Sequence, residues 1–273
     1  DVCSSDLLLL PQALGMELWF ETGEGPRLNS LNNGFKINNL KSPSDIHETL
    51  APIYQTVKNL AGELSNDTAL IGFAGAPWTV ATYMIHGKSS KNHIEARNFI
   101  NSNPSDFDKL INLLTLATIE YLSEQIKAGA EVIKIFDSWA GALSKRDAIK
   151  YGYSPVVKIA VELKRRYPLT PIIIFPKGVG IGYKKYAESQ QFSGLALDTS
   201  VPIVFAKGLQ ANITIQGNLD PLLLVTGGKK LKSEVLYLME QLSLGPYIFN
   251  LGHGITPDAD PKNVELLLEY IRE

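Results

Sequence analysis

A histidine between two glycines, Gly252-His253-Gly254, follows the apolar run Tyr247–Leu251 and precedes the turn Thr256-Pro-Asp-Ala-Asp-Pro261. Glycine on both sides removes the side chains that would cover the imidazole. The ring is thereby presented at the mouth of a strand, able to pair with a carboxylate as imidazolium or to donate as a neutral ring. The same design recurs along the chain. Apolar runs end at Asp6 with Pro11-Gln12, Gly72-Phe-Ala-Gly-Ala-Pro-Trp78, Asp137-Ser138-Trp139-Ala-Gly141, Pro176-Lys177-Gly178, Asp198-Thr199-Ser200 and Gln216-Gly-Asn-Leu-Asp220. Taken singly, Gly and Asp at such positions also make turns and helix caps. Taken together they gather ionisable and hydrogen-bonding groups at the ends of many strands, the face on which barrel enzymes build their sites. No Gly-x-Ser-x-Gly elbow surrounds Ser138, so a nucleophilic serine is not indicated.

The elements that must position these groups are read from periodicity. Seven apolar runs are expected as buried strands: Leu7–Leu10, Leu70–Phe73, Val132–Phe136, Ile172–Phe175, Leu195–Leu197, Ile213–Ile215 and Tyr247–Leu251. Between most of them lie helical patterns. Over Pro104–Ala128, residues Phe107, Leu110, Ile111, Leu114, Ala117, Tyr121 and Leu122 fall on one face, and Gly129 ends the helix. Pro155–Arg166 is a second helix. A third carries Val264, Leu267, Leu268 and Ile271, with Asp260 at the N-cap and Pro261 at the first helical position. Thr79–Met84 reads as an amphipathic stretch that carries Tyr83. His47, His86 and His93 read as surface residues.

Alternating strand and helix implies parallel strands with right-handed crossovers. Neither a Gly-x-Gly-x-x-Gly fingerprint nor a P-loop follows the first run, and polar ends on nearly every strand suit a closed barrel better than an open sheet. The expected fold class is therefore α/β, a (β/α)8 TIM barrel that lacks its first strand and N-terminal helical segment in this chain. Residues 1–273 read as one domain, without a linker or a repeat. The opening Asp1-Val-Cys-Ser-Ser-Asp-Leu7 can be encoded by the end of a common sequencing adapter, which places the expected native N-terminal segment upstream.

Bulk properties exclude several classes. A formal charge of −2 over 273 residues gives no electrostatic reason to expect nucleic acid or an anionic membrane as partner. Lys164-Arg165-Arg166 and Lys229-Lys230-Leu231-Lys232 sit in or beside helical patterns and read as solvated faces. No apolar run approaches the length of a bilayer span. The one cysteine, Cys3, excludes an internal disulfide, argues against thiolate zinc chemistry and suits a reducing compartment.

Several of these segments together carry a family resemblance. They are Ser5-Asp6 with Pro11-Gln-Ala-Leu-Gly15, Gly23-Glu-Gly-Pro26, Gly72-Phe-Ala-Gly-Ala-Pro-Trp-Thr79 with Thr82-Tyr83-Met84, Phe136-Asp-Ser-Trp-Ala-Gly141, Leu197-Asp198, Gln216-Gly-Asn-Leu-Asp-Pro221 and Asn250-Leu-Gly-His-Gly-Ile-Thr-Pro257. In these the chain resembles the uroporphyrinogen decarboxylase family. The resemblance covers essentially the whole chain. It implies a cofactor-free, cytoplasmic, homodimeric (β/α)8 carboxy-lyase of haem biosynthesis, which turns the four acetate side chains of uroporphyrinogen III into methyl groups and releases CO2. It further implies that Asp6 is the carboxylate surrounded by the four pyrrole N–H groups and the stabiliser of the cationic intermediate. Tyr83, Ser138 and His253 match its remaining substrate-binding positions. No metal is implied. The family's N-terminal Arg-Gln-Ala-Gly-Arg segment, which supplies cations for the acetates, is absent from this sequence, so the fragment alone is expected to be unstable or inactive.

Three other readings compete. Corrinoid or thiol methyltransferases resemble the decarboxylase but need zinc held by His and Cys, and this chain has no His-x-Cys pair. Lys134 or Lys177 at strand positions could form a Schiff base in an aldolase. A truncated relic could bind tetrapyrroles without releasing CO2.

Overall fold

The computed structural model describes residues 6–21, 25–33, 36–88, 90 and 92–272. Residues 1–5 and 23–24, which carry parts of two motifs quoted above, lie outside the described residues. The chain divides into two compact units, with the boundary between Ile172 and Ile173.

The first unit opens with a correction. Asp6 and the leucines after it form a 3-10 turn, Asp6–Leu8, that runs into helix α1 (Leu9–Ala13), where a strand was expected. Four consecutive leucines have no alternation, and leucine is a strong helix former. Pro11 falls in the first turn of α1, where a backbone N–H has no helical partner to lose. Next comes an antiparallel pair absent from the sequence reading, β1 (Leu18–Glu21) and β2 (Gly25–Leu28), with Leu18 opposite Leu28 and Trp19 opposite Arg27. Its strands are four residues each and neither alternates apolar with polar residues, so periodicity gives no strand signal there. The ion pair between Arg27 Nε and Glu21 Oε2, 3.1 Å, ties it together.

Helix α2 (His47–Glu63) leads to strand β3 (Ile71–Gly75), helices α3 (Pro77–His86), α4 (Ile94–Ser102) and α5 (Pro104–Ala128), and strand β4 (Val132–Asp137). β3 and β4 pair in parallel, Ile71 against Val132 through Gly75 against Phe136. The α5 boundaries match the expectation. Pro104 stands at the first helical position, and Gly129 caps the C-terminus at φ 117°. The expected face of α5, from Phe107 to Leu122, is buried. Helix α3 is not amphipathic: Pro77 through Ile85 are all buried, so it is a core helix. Helices α6 (Lys145–Asp147) and α7 (Ser154–Arg166) close the unit, and Val156, Ile159, Ala160 and Leu163 of α7 are buried as the periodicity requires.

The second unit holds a parallel ladder in sequential order. Strands β5 (Ile172–Pro176, of which Ile172 still belongs to the first unit), β6 (Gly194–Ala196), β7 (Thr214–Gln216) and β8 (Tyr247–Ile248) alternate with helices α8 (Tyr183–Ala187), α9 (Ile203–Gln210), α10 (Leu223–Thr226), α11 (Gly228–Leu242) and α12 (Pro261–Arg272). The six strands expected after the first all exist: β4 and β5 run one residue further than expected, β3, β6 and β7 are displaced by a residue or two, and β8 is shortened to Tyr247–Ile248. All five residues of β5 are buried, the pattern of a parallel strand covered on both faces.

Candidate active site

In the first unit the chemistry gathers where β4 ends against the start of α3. The Ala76 N–H donates to the Phe136 carbonyl at 2.9 Å, so α3 begins beside the end of β4. Gly75 allows this approach: a Cβ there would stand 2.7 Å from the Val80 side chain. Alternate residues of β4 then separate. Ile133, Ile135 and Asp137 are buried, while Lys134 and Phe136 on the opposite face are half-buried. Phe136 meets Phe73 of β3 edge to face at 6.0 Å, and Lys134 Nζ stands 4.9 Å from the Phe136 ring centre. Burial pulls the Lys134 ammonium down to about 8.

Asp137, the last residue of β4, gains a role that its place in the sequence does not show. It is fully buried. Its Oδ1 accepts from the Thr79 hydroxyl at 2.7 Å, and its Oδ2 finds no hydrogen-bond partner among the described residues. Burial pushes the carboxyl up to about 7, against the opposing effect of the Thr79 hydrogen bond. The Thr79 oxygen also accepts from the Trp139 N–H at 3.2 Å, and Trp78 Nε1 donates to the Trp139 carbonyl at 2.8 Å.

Two predicted site residues border this network. Ser138 follows β4 directly and is half-buried. Tyr83 is buried in α3, its ring 6.5 Å from that of Trp139, the sequence neighbour of Ser138. Asp6 lies in the 3-10 turn before α1, and its side chain lies outside the described residues. His93, expected at the surface, is buried. Its ring packs at a tilt against that of Trp139, with centres 4.6 Å apart, and its Nδ1 has no partner among the described residues. Burial, and after it the neighbouring His86, hold the ring below its usual pKa, opposed by Glu95. His47 and His86 are half-buried.

His253 stands in the second unit, which has its own polar centre. Asp198, just after β6, receives Gly178 N–H at 2.7 Å, Tyr183 O–H at 2.7 Å, Ser200 N–H at 2.8 Å and the Ser200 hydroxyl. Burial raises this carboxyl, yet the bonds from Ser200, Tyr183 and Gly178 outweigh it and hold it below the carboxylate range. The Asp-x-Ser spacing was the available sequence signal, since an Asp side chain readily accepts from the backbone two residues on. Lys177 is held low by burial, with Asp198 opposing.

The His253 ring packs 6.5 Å from Phe175 and is exposed on its outer side. Burial of its inner side and the charge of Lys177 hold it below its usual pKa, again opposed by Asp198. Its Nδ1 accepts from the Gly254 N–H at 2.6 Å, so the proton of the neutral ring sits on Nε2. The loop can pass here because Gly252 carries no Cβ, which would stand 2.6 Å from the Thr199 nitrogen. Among the described residues no group of three or more His, Cys, Asp or Glu could hold a metal ion.

Among solved structures, a methyltransferase from Methanosarcina mazei matches with a TM-score of 0.79 and 19% identity, covering 97% of this chain and 77% of that one. A B12-independent methionine synthase from Shewanella sp. W3-18-1 matches at 0.56 and 8% identity, covering 94% of this chain and 72% of that one. At such identities the likeness is one of fold. With the parallel ladders it defines the class: α/β, of TIM-barrel type. The family model for uroporphyrinogen decarboxylase (URO-D) matches residues 2–273. Proteins named uroporphyrinogen decarboxylase from Jannaschia sp. (strain CCS1) and Ruegeria pomeroyi are 54% and 52% identical over 269 and 270 residues, in each case 98% of this chain and 78% of the relative. One from Rhodobacter capsulatus is 49% identical over 271 residues, 98% of this chain and 79% of the relative. The chain belongs to the uroporphyrinogen decarboxylase family.

Proposed function

We propose that this chain catalyses the decarboxylation of the four acetate side chains of uroporphyrinogen III, giving coproporphyrinogen III and CO2 in haem biosynthesis, without a cofactor. The observation that carries the reading is identity near one half to named decarboxylases over 98% of the chain. Loss of CO2 leaves a carbanion, which needs an electron sink. A pyrrole protonated at a ring carbon provides one, and its positive charge calls for a nearby carboxylate. Asp6 has that role. Tyr83 and Ser138 donate hydrogen bonds to substrate carboxylates. His253 meets one through Nε2–H, the donor that the Gly254 contact leaves outward.

The whole chain acts as one barrel domain in this reading, works as a homodimer in the cytoplasm, and takes neither nucleic acid nor membrane as partner. No described helix is long and apolar enough to cross a membrane.

The test is anaerobic incubation with uroporphyrinogen III, with CO2 and coproporphyrinogen III measured for the wild type and Asp6→Asn. Joined to an N-terminal segment that carries Arg-Gln-Ala-Gly-Arg, the wild type should turn over and the variant should lose at least about a hundredfold, the scale of removing a charge-stabilising group, while the chain without that segment should show little or no turnover. Tetrapyrrole binding with no CO2 release would overturn the reading in favour of a binding protein.

A further inference from the structure

We propose that Asp137 is a positioning residue for this decarboxylation: through the Thr79 hydroxyl it fixes the Ser138–Trp139 turn to helix α3, and so sets where Ser138 and Tyr83 meet the substrate. The inference rests on the reading of those two residues as substrate contacts.

A fully buried acid with one oxygen unpartnered among the described residues is costly, and a strand end does not require it. What it does here is orient a hydroxyl. Thr79 has a single O–H proton, and Asp137 Oδ1 takes it at 2.7 Å. The lone pairs of the same oxygen then face the Trp139 N–H at 3.2 Å. Trp78 Nε1 holds the Trp139 carbonyl at 2.8 Å, so the first turn of α3 grips both polar backbone groups of Trp139. Tyr83 lies four residues beyond Thr79, on the same face of α3. The helix face that grips the turn therefore also carries the phenol. Without an acceptor at position 137 the Thr79 hydroxyl can rotate to its own helix backbone, and the Trp139 N–H loses its aligned partner.

Burial favours the neutral acid at Asp137, and the Thr79 hydrogen bond opposes it. With the proton on Oδ2, Oδ1 behaves as a carbonyl oxygen, which an asparagine reproduces.

The experiment compares kcat and KM for uroporphyrinogen III in the intact protein and its Asp137→Asn, Asp137→Ala, Thr79→Val, Asp137→Ala/Thr79→Val, Tyr83→Phe and Ser138→Ala variants. Asp137→Ala and Thr79→Val should each raise KM about tenfold with a smaller change in kcat, the equivalent of one buried hydrogen bond. The double variant should be no worse than either single one. Asp137→Asn should stay within about threefold of wild type, since its amide oxygen still accepts from Thr79. Wild-type KM in Asp137→Ala, with Tyr83→Phe and Ser138→Ala impaired, overturns the inference and leaves the site reading standing. Wild-type kinetics in Tyr83→Phe and Ser138→Ala overturn both. Should Asp137→Ala fail to fold, Asp137→Asn and Thr79→Val decide: a raised KM in Thr79→Val with Asp137→Asn near wild type supports the inference, whereas a wild-type KM in Thr79→Val, whatever Asp137→Asn does, overturns it.

Discussion

The carboxamide of Gln125, buried in α5, lies against Phe73 of β3 as a neighbouring strand would. Its Oε1 accepts the Phe73 N–H at 2.9 Å and its Nε2 donates to the Phe73 carbonyl at 3.0 Å. On its other side β3 pairs with β4, where Phe73 is in register with Lys134. In a parallel ladder both backbone groups of one residue point to the same side, so a single side chain can satisfy both. Gly72 gives the amide room: a Cβ there would stand 2.8 Å from the Gln125 oxygen.

Gln125→Leu should therefore destabilise the protein by about 2–4 kcal/mol, because it leaves a buried N–H and C=O without partners. Gln125→Glu keeps an acceptor but sets a carboxylate against the Phe73 carbonyl. That variant should be less stable at pH 7.5 than at pH 5, where a raised-pKa carboxyl regains its proton. Urea unfolding at the two pH values measures both. A Leu variant within about 0.5 kcal/mol of wild type would show that the pairing contributes nothing.

Asp137 makes a second pH-dependent prediction. Its folded pKa, about 7, lies above the ordinary aspartate value of 3.8. Between these values the folded state holds a proton that the unfolded state has released. Stability must then fall as pH rises from about 4 to 7 and level off above, by roughly 4 kcal/mol at most from this group. Asp137→Asn should flatten that slope. Thermal unfolding from pH 4.5 to 8 checks it, and an unchanged slope in the variant would mean that Asp137 is ionised throughout.

Much of this was legible in the sequence. The α5 boundaries follow from Pro104, Gly129 and the spacing of seven apolar residues, and the later strands follow from β-branched runs between turns. Leu7–Leu10 was misread because a short apolar run has no period, and leucine favours a helix unless packing overrules it. The hairpin was missed because its strands are four residues each and neither alternates apolar with polar residues. Strand ends pointed to Ser138 and His253. Asp198 carried a local signal in its Asp-x-Ser spacing, but Asp137, Thr79 and Tyr183 gained their roles only from pairings across many residues, such as Thr79 with Asp137, which no local pattern encodes. His93 reads as a surface residue, yet it is buried with its ring against that of Trp139, far along the chain.

His253 should be neutral at pH 7 with its proton on Nε2. A proton on Nδ1 would face the Gly254 N–H at 2.6 Å, which adds to burial and Lys177 in disfavouring the imidazolium. A lowered folded pKa stabilises the fold above the unfolded value near 6.5, and that contribution is lost as pH falls through the folded pKa. His93 shifts in the same direction, so His253→Gln should remove only part of the acid-side loss. Nitrogen-15 NMR of the ring reads the tautomer directly. A midpoint above 6.5, or a proton on Nδ1, would contradict the geometry.

Two glycines make a matched pair. Gly217 has φ 119°, where side chains are strained, and a Cβ there would stand 2.7 Å from the Leu197 carbonyl oxygen. Neither the backbone oxygen nor the loop can yield cheaply, because the Gly217 carbonyl also accepts from Tyr247 and the next residue, Asn218, donates to Asp198 and Val201 carbonyls at 3.0 Å each. Gly208 lies within α9, and a Cβ there would meet none of the described residues within 4 Å outside its own helix. Gly217→Ala should cost about 3 kcal/mol or more, through strain and overlap together. Gly208→Ala should stabilise by about 0.5–1 kcal/mol, through helix propensity and a less free unfolded chain. The two variants should thus move the unfolding midpoint in opposite directions from wild type in the same urea titration. A Gly217→Ala protein as stable as wild type would mean that the β7 loop adopts another backbone path.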